Sequence, residues 1–313
     1  MEYGHIAGLE APISRLVIGS MVCSPKNMDL TRDLLDAFVA AGGNCIDSAH
    51  IYGGGDSERA LGQWFQERGN RARIVLLDKG AHHDQHGPRV NPEAIRKDIT
   101  ESLERLQTDY IDLYLLHRDD PTVPVGPIVE CLNAEKAAGR IHAFGGSNWS
   151  TQRIQEANDY AAAHGLAGFV ANSPHLSLAQ INEVMWGGCL ALDAEGKAWH
   201  QKHQFPLFPW SSQAGGFFTG RFSPEDRSNS DIVRVYYSEG NWERLRRARE
   251  LAAQKGCSAN NIALAYVLSQ PYPVFALIGP RTVAELQESL PAIDLALTAD
   301  ELRWLNLETD TLA

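Results

Sequence analysis

NPEAIRKDITESLERLQTDYIDLYLLHR, residues 91–118, decides the fold. It opens on an Asn cap and a first-turn Pro, runs with helical period to Leu106, and within a few residues becomes the apolar run IDLYLLHR (111–118). A helix joined so briefly to a buried strand is an α/β unit. The alternation continues in both directions. Strands are predicted at 15–20, 44–49, 73–80, 111–118, 141–148, 168–173, 205–212 and 274–279. Helical segments fall between them, such as DLTRDLLDAFVAA, SERALGQWFQERG, IVECLNAEKAAG and STQRIQEANDYAAAHG. Eight apolar, β-branched strands with intervening helices predict an α/β fold. The expected form is one (β/α)8 TIM barrel spanning 1–313, with long loops at its C-terminal face.

Bulk properties fit a soluble globular enzyme. Of 313 residues, 44% are hydrophobic and 21% charged, enough for a large core. A net charge of -11 argues against nucleic acid, which needs clustered Lys and Arg. No apolar run approaches the roughly 20 residues of a membrane span, and the N-terminus does not read as a secretory signal, so a cytoplasmic location is expected. Five scattered cysteines without a C-x-x-C pair read as reduced thiols. Two stretches, 179–203 and 215–240, break the rhythm and are expected to lie at the barrel mouth. The segment AHHDQHG (81–87) offers metal-type ligands, but with no second cluster to fix a geometry it reads as a polar loop at the mouth, and no metal site is assigned.

Chemistry enters at strand ends. Asp47, Lys79 and His117 end the second, third and fourth predicted strands, and Tyr52 lies in the Gly-rich turn after the second. In a barrel these ends converge on one face. Asp47 is the natural countercharge for a buried Lys79. The lysine is expected to lower the Tyr52 pKa and so equip the phenol as a general acid. A neutral His117 could hold a carbonyl oxygen against it. Each residue alone has a bland explanation, as a turn residue, rim charge or satisfied core group; four such coincidences at neighbouring strand ends are harder to accept. The set polarises a C=O but contains no hydride, which a cofactor has to bring. No full G-x-G-x-x-G turn indicates a Rossmann unit.

Six ordered motifs, IDSAHIYGGGDSERALG, LLDKG, DYIDLYLLHRDD, GGSNW, WSSQAGGFFTGRF and IGPRTVAELQESL, together resemble the aldo-keto reductases over nearly the whole chain. The resemblance implies a barrel that binds NADPH in extended form and reduces aldehydes or ketones. Tyr52 would be the acid, tuned by Lys79 and Asp47, with His117 orienting the carbonyl. Ser147, Asn148 and, in place of the usual Gln, Ser173 would meet the carboxamide, and Trp210 would stack on the nicotinamide. The loop Ser211, Ser212, Gln213, Gly215 to Gly220 would cover the pyrophosphate. Gly279, Arg281, Glu285, Glu288 and Ser289 would form the adenosine end, where Glu288 and Ser289 replace the usual Glu-Asn. Arg281 favours NADP(H), while Glu285 leaves NAD(H) possible.

The expected substrate is a small polar carbonyl compound, with sugars among the candidates, met at a mouth that includes His82, His83, Arg118, Asn172 and the tryptophans of 179–203. Two other readings use the same residues: a barrel aldolase with a Schiff base on Lys79, and a catalytically weak NADP-sensing binding module.

Overall fold

The computed structural model describes residues 1–312. Its main sheet is parallel, built from β3 (Leu16–Gly19), β4 (Cys45–Asp47), β5 (Val75–Gly80), β6 (Ile111–Leu116), β7 (Ile141–Ser147), β8 (Asn172–Ser173) and β9 (Ala276–Ile278). The strand order is β8-β7-β6-β5-β4-β3-β9. The predicted strand 205–212 is reduced to two isolated bridging residues: Leu207, which pairs in parallel with Asn172 on one side and Val274 on the other, and Trp210, which pairs in parallel with His175. Pro206 and Pro209 lack N–H donors and cannot extend a ladder. Their carbonyls still accept from Asn172 and Leu277, so the sheet curls into a barrel through this segment. The sixth predicted strand shortens to 172–173.

Helices α1 (Met28–Ala40), α2 (Asp56–Arg68), α3 (Pro92–Leu106), α4 (Val125–Ala137) and α5 (Thr151–Ala163) lie where the periodicity places them. Beyond these come α6 (Ala194–His203), α7 (Ser230–Tyr236), α8 (Glu239–Lys255), α9 (Ala259–Leu268), α10 (Val283–Ser289) and α11 (Ala299–Leu305). Asn91 caps α3 by accepting from the Ala94 N–H at 3.0 Å. The stretch 179–203 is therefore not wholly an insertion, because it carries α6. Trp199 packs on His203 and Phe205, whereas Trp186 faces the mouth. An antiparallel pair, β1 (Tyr3–Gly4) with β2 (Ile13–Ser14), precedes the barrel; two-residue strands leave no periodicity to read.

Strand alternation divides the core and places the site. Leu16, Ile18, Ile46, Leu76, Tyr114 and Leu116 face the helices. Val17, Cys45, Val75, Leu77, Leu113 and Leu115 fill the barrel interior with Phe208 and Phe275. Counting two residues onward along the inner faces, Cys45 leads to Asp47, Leu77 to Lys79, and Leu115 to His117. The apolar filling thus ends in a polar layer at the C-terminal rim. The cysteines at 23, 45, 131 and 189 are buried and unpaired.

Candidate active site

The two carboxyl-terminal charges of that layer meet directly. Lys79 Nζ lies 2.5 Å from Asp47 Oδ1, both side chains nearly sealed from solvent. The ammonium also donates to the Ser48 carbonyl at 2.9 Å and to the Tyr52 hydroxyl at 3.3 Å. Three oxygens thus surround the ammonium, two as hydrogen-bond acceptors and the Asp47 carboxylate as its countercharge. Tyr52 reaches this position because the chain turns back through Gly53, Gly54 and Gly55, all at positive φ (58°, 63° and 89°), before α2 begins. Side chains with a Cβ would strain three successive left-handed residues.

Burial lowers the Lys79 pKa in isolation, but the Asp47 carboxylate and the Tyr52 oxygen outweigh it and hold the amine above its usual range. Burial pushes Asp47 up, with Lys79 opposing. Tyr52 departs from expectation: burial raises its pKa, and this exceeds the lowering by Lys79. The adjacent cation was legible in the sequence, but the depth of the phenol was not. Tyr52 is accordingly a protonated phenol at neutral pH.

His117 follows β6, its backbone N–H bonded to the Gly80 carbonyl at 2.8 Å. Its ring stands edge-on to Tyr52, centroids 5.8 Å apart at 80°. The His82 ring lies 4.8 Å away. Burial, then Lys79 and Arg118, hold the His117 pKa well below its usual value, so the imidazole is neutral. Its Nδ1 is buried and has no partner among the described residues. His82 is pushed down to about 4, chiefly by burial.

These residues floor one end of a cavity of about 1230 Å³, larger than the roughly 300–1,000 Å³ that suits a drug-sized ligand. Ser147, Asn148, Trp210, Ser211, Ser212, Gln213, Gly215, Gly279, Arg281, Glu285, Glu288 and Ser289 all line it. Ser173 and Gly220 do not. Ser173 is fully buried behind Ser147, whose hydroxyl donates to its carbonyl at 2.9 Å, and Gly220 is exposed beyond the loop. Asn172 is also withdrawn from the mouth, donating to the Trp149 carbonyl at 3.1 Å. Asn148 is a hub with little capacity left: it donates to Ser147 Oγ and the His117 carbonyl and accepts from Trp210 Nε1 and the Leu190 N–H. The indole of Trp210 is thereby fixed, with Trp186 at 5.7 Å.

The far end contains groups not singled out by sequence reading. Arg221 lies across Gly216, where a Cβ would meet its Nη2 at 2.0 Å, so only glycine admits the guanidinium there. Neither Arg221 nor Arg281 has a carboxylate within 4 Å among the described residues. Asn260 Oδ1 is buried without a partner and borders the same space. Arg221 was visible only as a basic residue after a Gly-rich turn, and Asn260 reads in sequence as part of a helix start. Glu285 accepts the Arg281 backbone N–H at 2.7 Å and leaves the guanidinium free. Among the described residues no group of His, Cys, Asp and Glu converges to hold a metal ion, and no helix is long and apolar enough to cross a membrane.

The Aldo/keto reductase family pattern matches residues 15–306. The chain is 33% identical over 285 residues to norsolorinic acid reductase of Aspergillus flavus, covering 88% of this chain and 70% of that one. It is 28% identical over 319 residues to the uncharacterized oxidoreductase YrpG of Bacillus subtilis, covering 98% and 95%. The glycerol dehydrogenase of Gluconobacter oxydans superposes with a TM-score of 0.79 at 24% identity, covering 97% of this chain and 94% of that one, and shares its fold.

Proposed function

Because the chain belongs to the aldo/keto reductase family, we propose that it reduces an aldehyde or ketone to an alcohol with a nicotinamide dinucleotide, NADPH before NADH, and with Tyr52 as general acid. The observation that carries this reading is the direction of one hydrogen bond. Lys79 donates to the Tyr52 oxygen, so the phenolic proton is left to donate elsewhere. A substrate oxygen in the cavity is the acceptor that chemistry needs.

The residues at the far end suit a dinucleotide. Two guanidinia without carboxylate partners, Arg221 and Arg281, provide charge for phosphates, and the unpartnered Asn260 oxygen can accept from an adenine or ribose group. Trp210 offers a flat face for the nicotinamide, and Ser147 retains acceptor capacity for its carboxamide. The bound cofactor supplies hydride. Tyr52 gives its proton to the carbonyl oxygen, and the ammonium of Lys79, 3.3 Å away, stabilises the phenolate left behind. Neutral His117 donates one N–H to the same oxygen. Asp47 keeps Lys79 protonated, which disfavours a Schiff base on that lysine, since a nucleophilic amine must be neutral. His82, His83, Arg118 and Trp186 give the mouth a polar and aromatic lining, suited to a small polar carbonyl compound or a sugar.

Tryptophan-fluorescence titration tests the cofactor assignment. NADPH is expected to quench Trp210, and Arg281→Ala to weaken NADPH by about tenfold or more while changing NADH by less than about threefold, the loss of one charge-assisted phosphate contact. Equal losses for both cofactors would remove Arg281 from 2′-phosphate recognition. No response to either would remove the hydride source.

A further inference from the structure

We propose that Arg118 binds an anionic group on the substrate, so that the preferred carbonyl compound carries a carboxylate or phosphate. The inference rests on the reductase reading above and narrows its substrate class.

Arg118 is 7% exposed, yet it lines the cavity immediately beside His117. Its Nη1 donates to the His117 carbonyl at 2.8 Å, which fixes one edge of the guanidinium. Its Nε is buried without a partner. No carboxylate lies within 4 Å of it among the described residues. The nearest acidic residues in sequence are engaged elsewhere, Asp119 with Arg153 and Asp120 with Thr122. An always-charged group so far withdrawn from water is costly unless something pairs with it.

Among the described residues the cavity contains no carboxylate paired with Arg118. Its acidic residues are Asp47, which is held by Lys79, Glu285, which accepts the Arg281 backbone N–H, and Glu288; none forms an ion pair with Arg118. Around the catalytic floor the other titratable lining groups are Tyr52, Lys79, His82, His83, His117 and Cys189, none of which is a carboxylate. A chain with a net charge of -11 thus keeps an uncompensated cation at the place where a substrate enters. A guanidinium held by one edge presents its remaining N–H groups as a fork that matches the two oxygens of a carboxylate or phosphate. Anchored there, the substrate's anionic end would leave its carbonyl for Tyr52 and His117.

The test uses two matched pairs of aldehydes: 4-carboxybenzaldehyde against its uncharged methyl ester, and glyceraldehyde 3-phosphate against glyceraldehyde. Wild-type enzyme is expected to show kcat/KM at least about tenfold higher for the anion in one pair, which also identifies carboxylate or phosphate as the preferred group. Arg118→Gln is expected to reduce that ratio by about tenfold or more, mainly through KM, with Arg118→Lys intermediate because it keeps charge without the fork. Reduction of all four aldehydes without preference for charge in the wild type would overturn the inference and leave the reductase reading standing. A preference that persists in folded Arg118→Gln would also overturn it. Failure to reduce any of the four would count against both.

Discussion

Replacing Tyr52 by Phe is expected to lower kcat for carbonyl reduction by about a hundred- to ten-thousandfold, with dinucleotide affinity changed by less than about twofold. The substitution removes one hydroxyl and keeps the ring that stands edge-on to His117. Lys79 would lose one of three oxygen partners but keep Asp47 and the Ser48 carbonyl, so the floor should persist. What disappears is the phenolic proton beside the ammonium. Steady-state kinetics and the fluorescence titration check the two halves separately. A fall of only a few-fold would assign the proton to His117 or to water, and a parallel loss of cofactor affinity would indicate a collapsed site.

The second large effect is on stability. Lys79→Met is expected to destabilise the fold by about 3–5 kcal/mol at neutral pH, because it leaves Asp47 buried and unpaired at the barrel rim. Reduction should be lost with it, since the phenolate would have no cation. Asp47→Asn in the same chain should restore much of the stability and none of the activity. The penalty also has a pH sign. A carboxyl whose folded pKa is raised is most stable at low pH, where it is neutral, and becomes costly as pH rises through that pKa. Burial already raises Asp47, and removal of Lys79 raises it further. The gap between wild type and Lys79→Met should therefore narrow as pH falls, as measured by denaturant midpoints. A variant as stable as wild type at neutral pH would mean that the pair is not an ion pair in the folded protein.

The barrel and the polar floor of the candidate site were legible because both follow from alternation. Residues 45 and 47, 75 to 79, and 113 to 117 each run apolar, apolar or polar with period two, and the last inward position of each strand is polar. Where that pattern fails, so does the reading. Pro206 and Pro209 break the seventh strand into isolated bridges at Leu207 and Trp210, and α6 hides in a stretch whose glycines suggested an excursion. Ser173 and Asn172 sit at the end of a strand that exists for two residues only, too short for alternation to orient them. Depth is a different failure. The sign of the Tyr52 shift depends on how far the phenol sinks beside Lys79, and the unpaired state of Arg118 and Arg221 depends on which carboxylates the folded chain takes elsewhere. Local residue types do not encode either.

The central claim is that hydride enters a carbonyl carbon while Tyr52 supplies the proton to its oxygen. NADPH carrying deuterium at the transferred position of its nicotinamide, incubated with the enzyme and an aldehyde, tests it most directly by mass spectrometry of the alcohol. The account predicts an alcohol with one deuterium on the carbinol carbon from the wild type, and at most traces from Tyr52→Phe. Cofactor binding without deuterated alcohol across neutral, sugar and anionic aldehydes would contradict it and leave a dinucleotide-binding barrel without this chemistry.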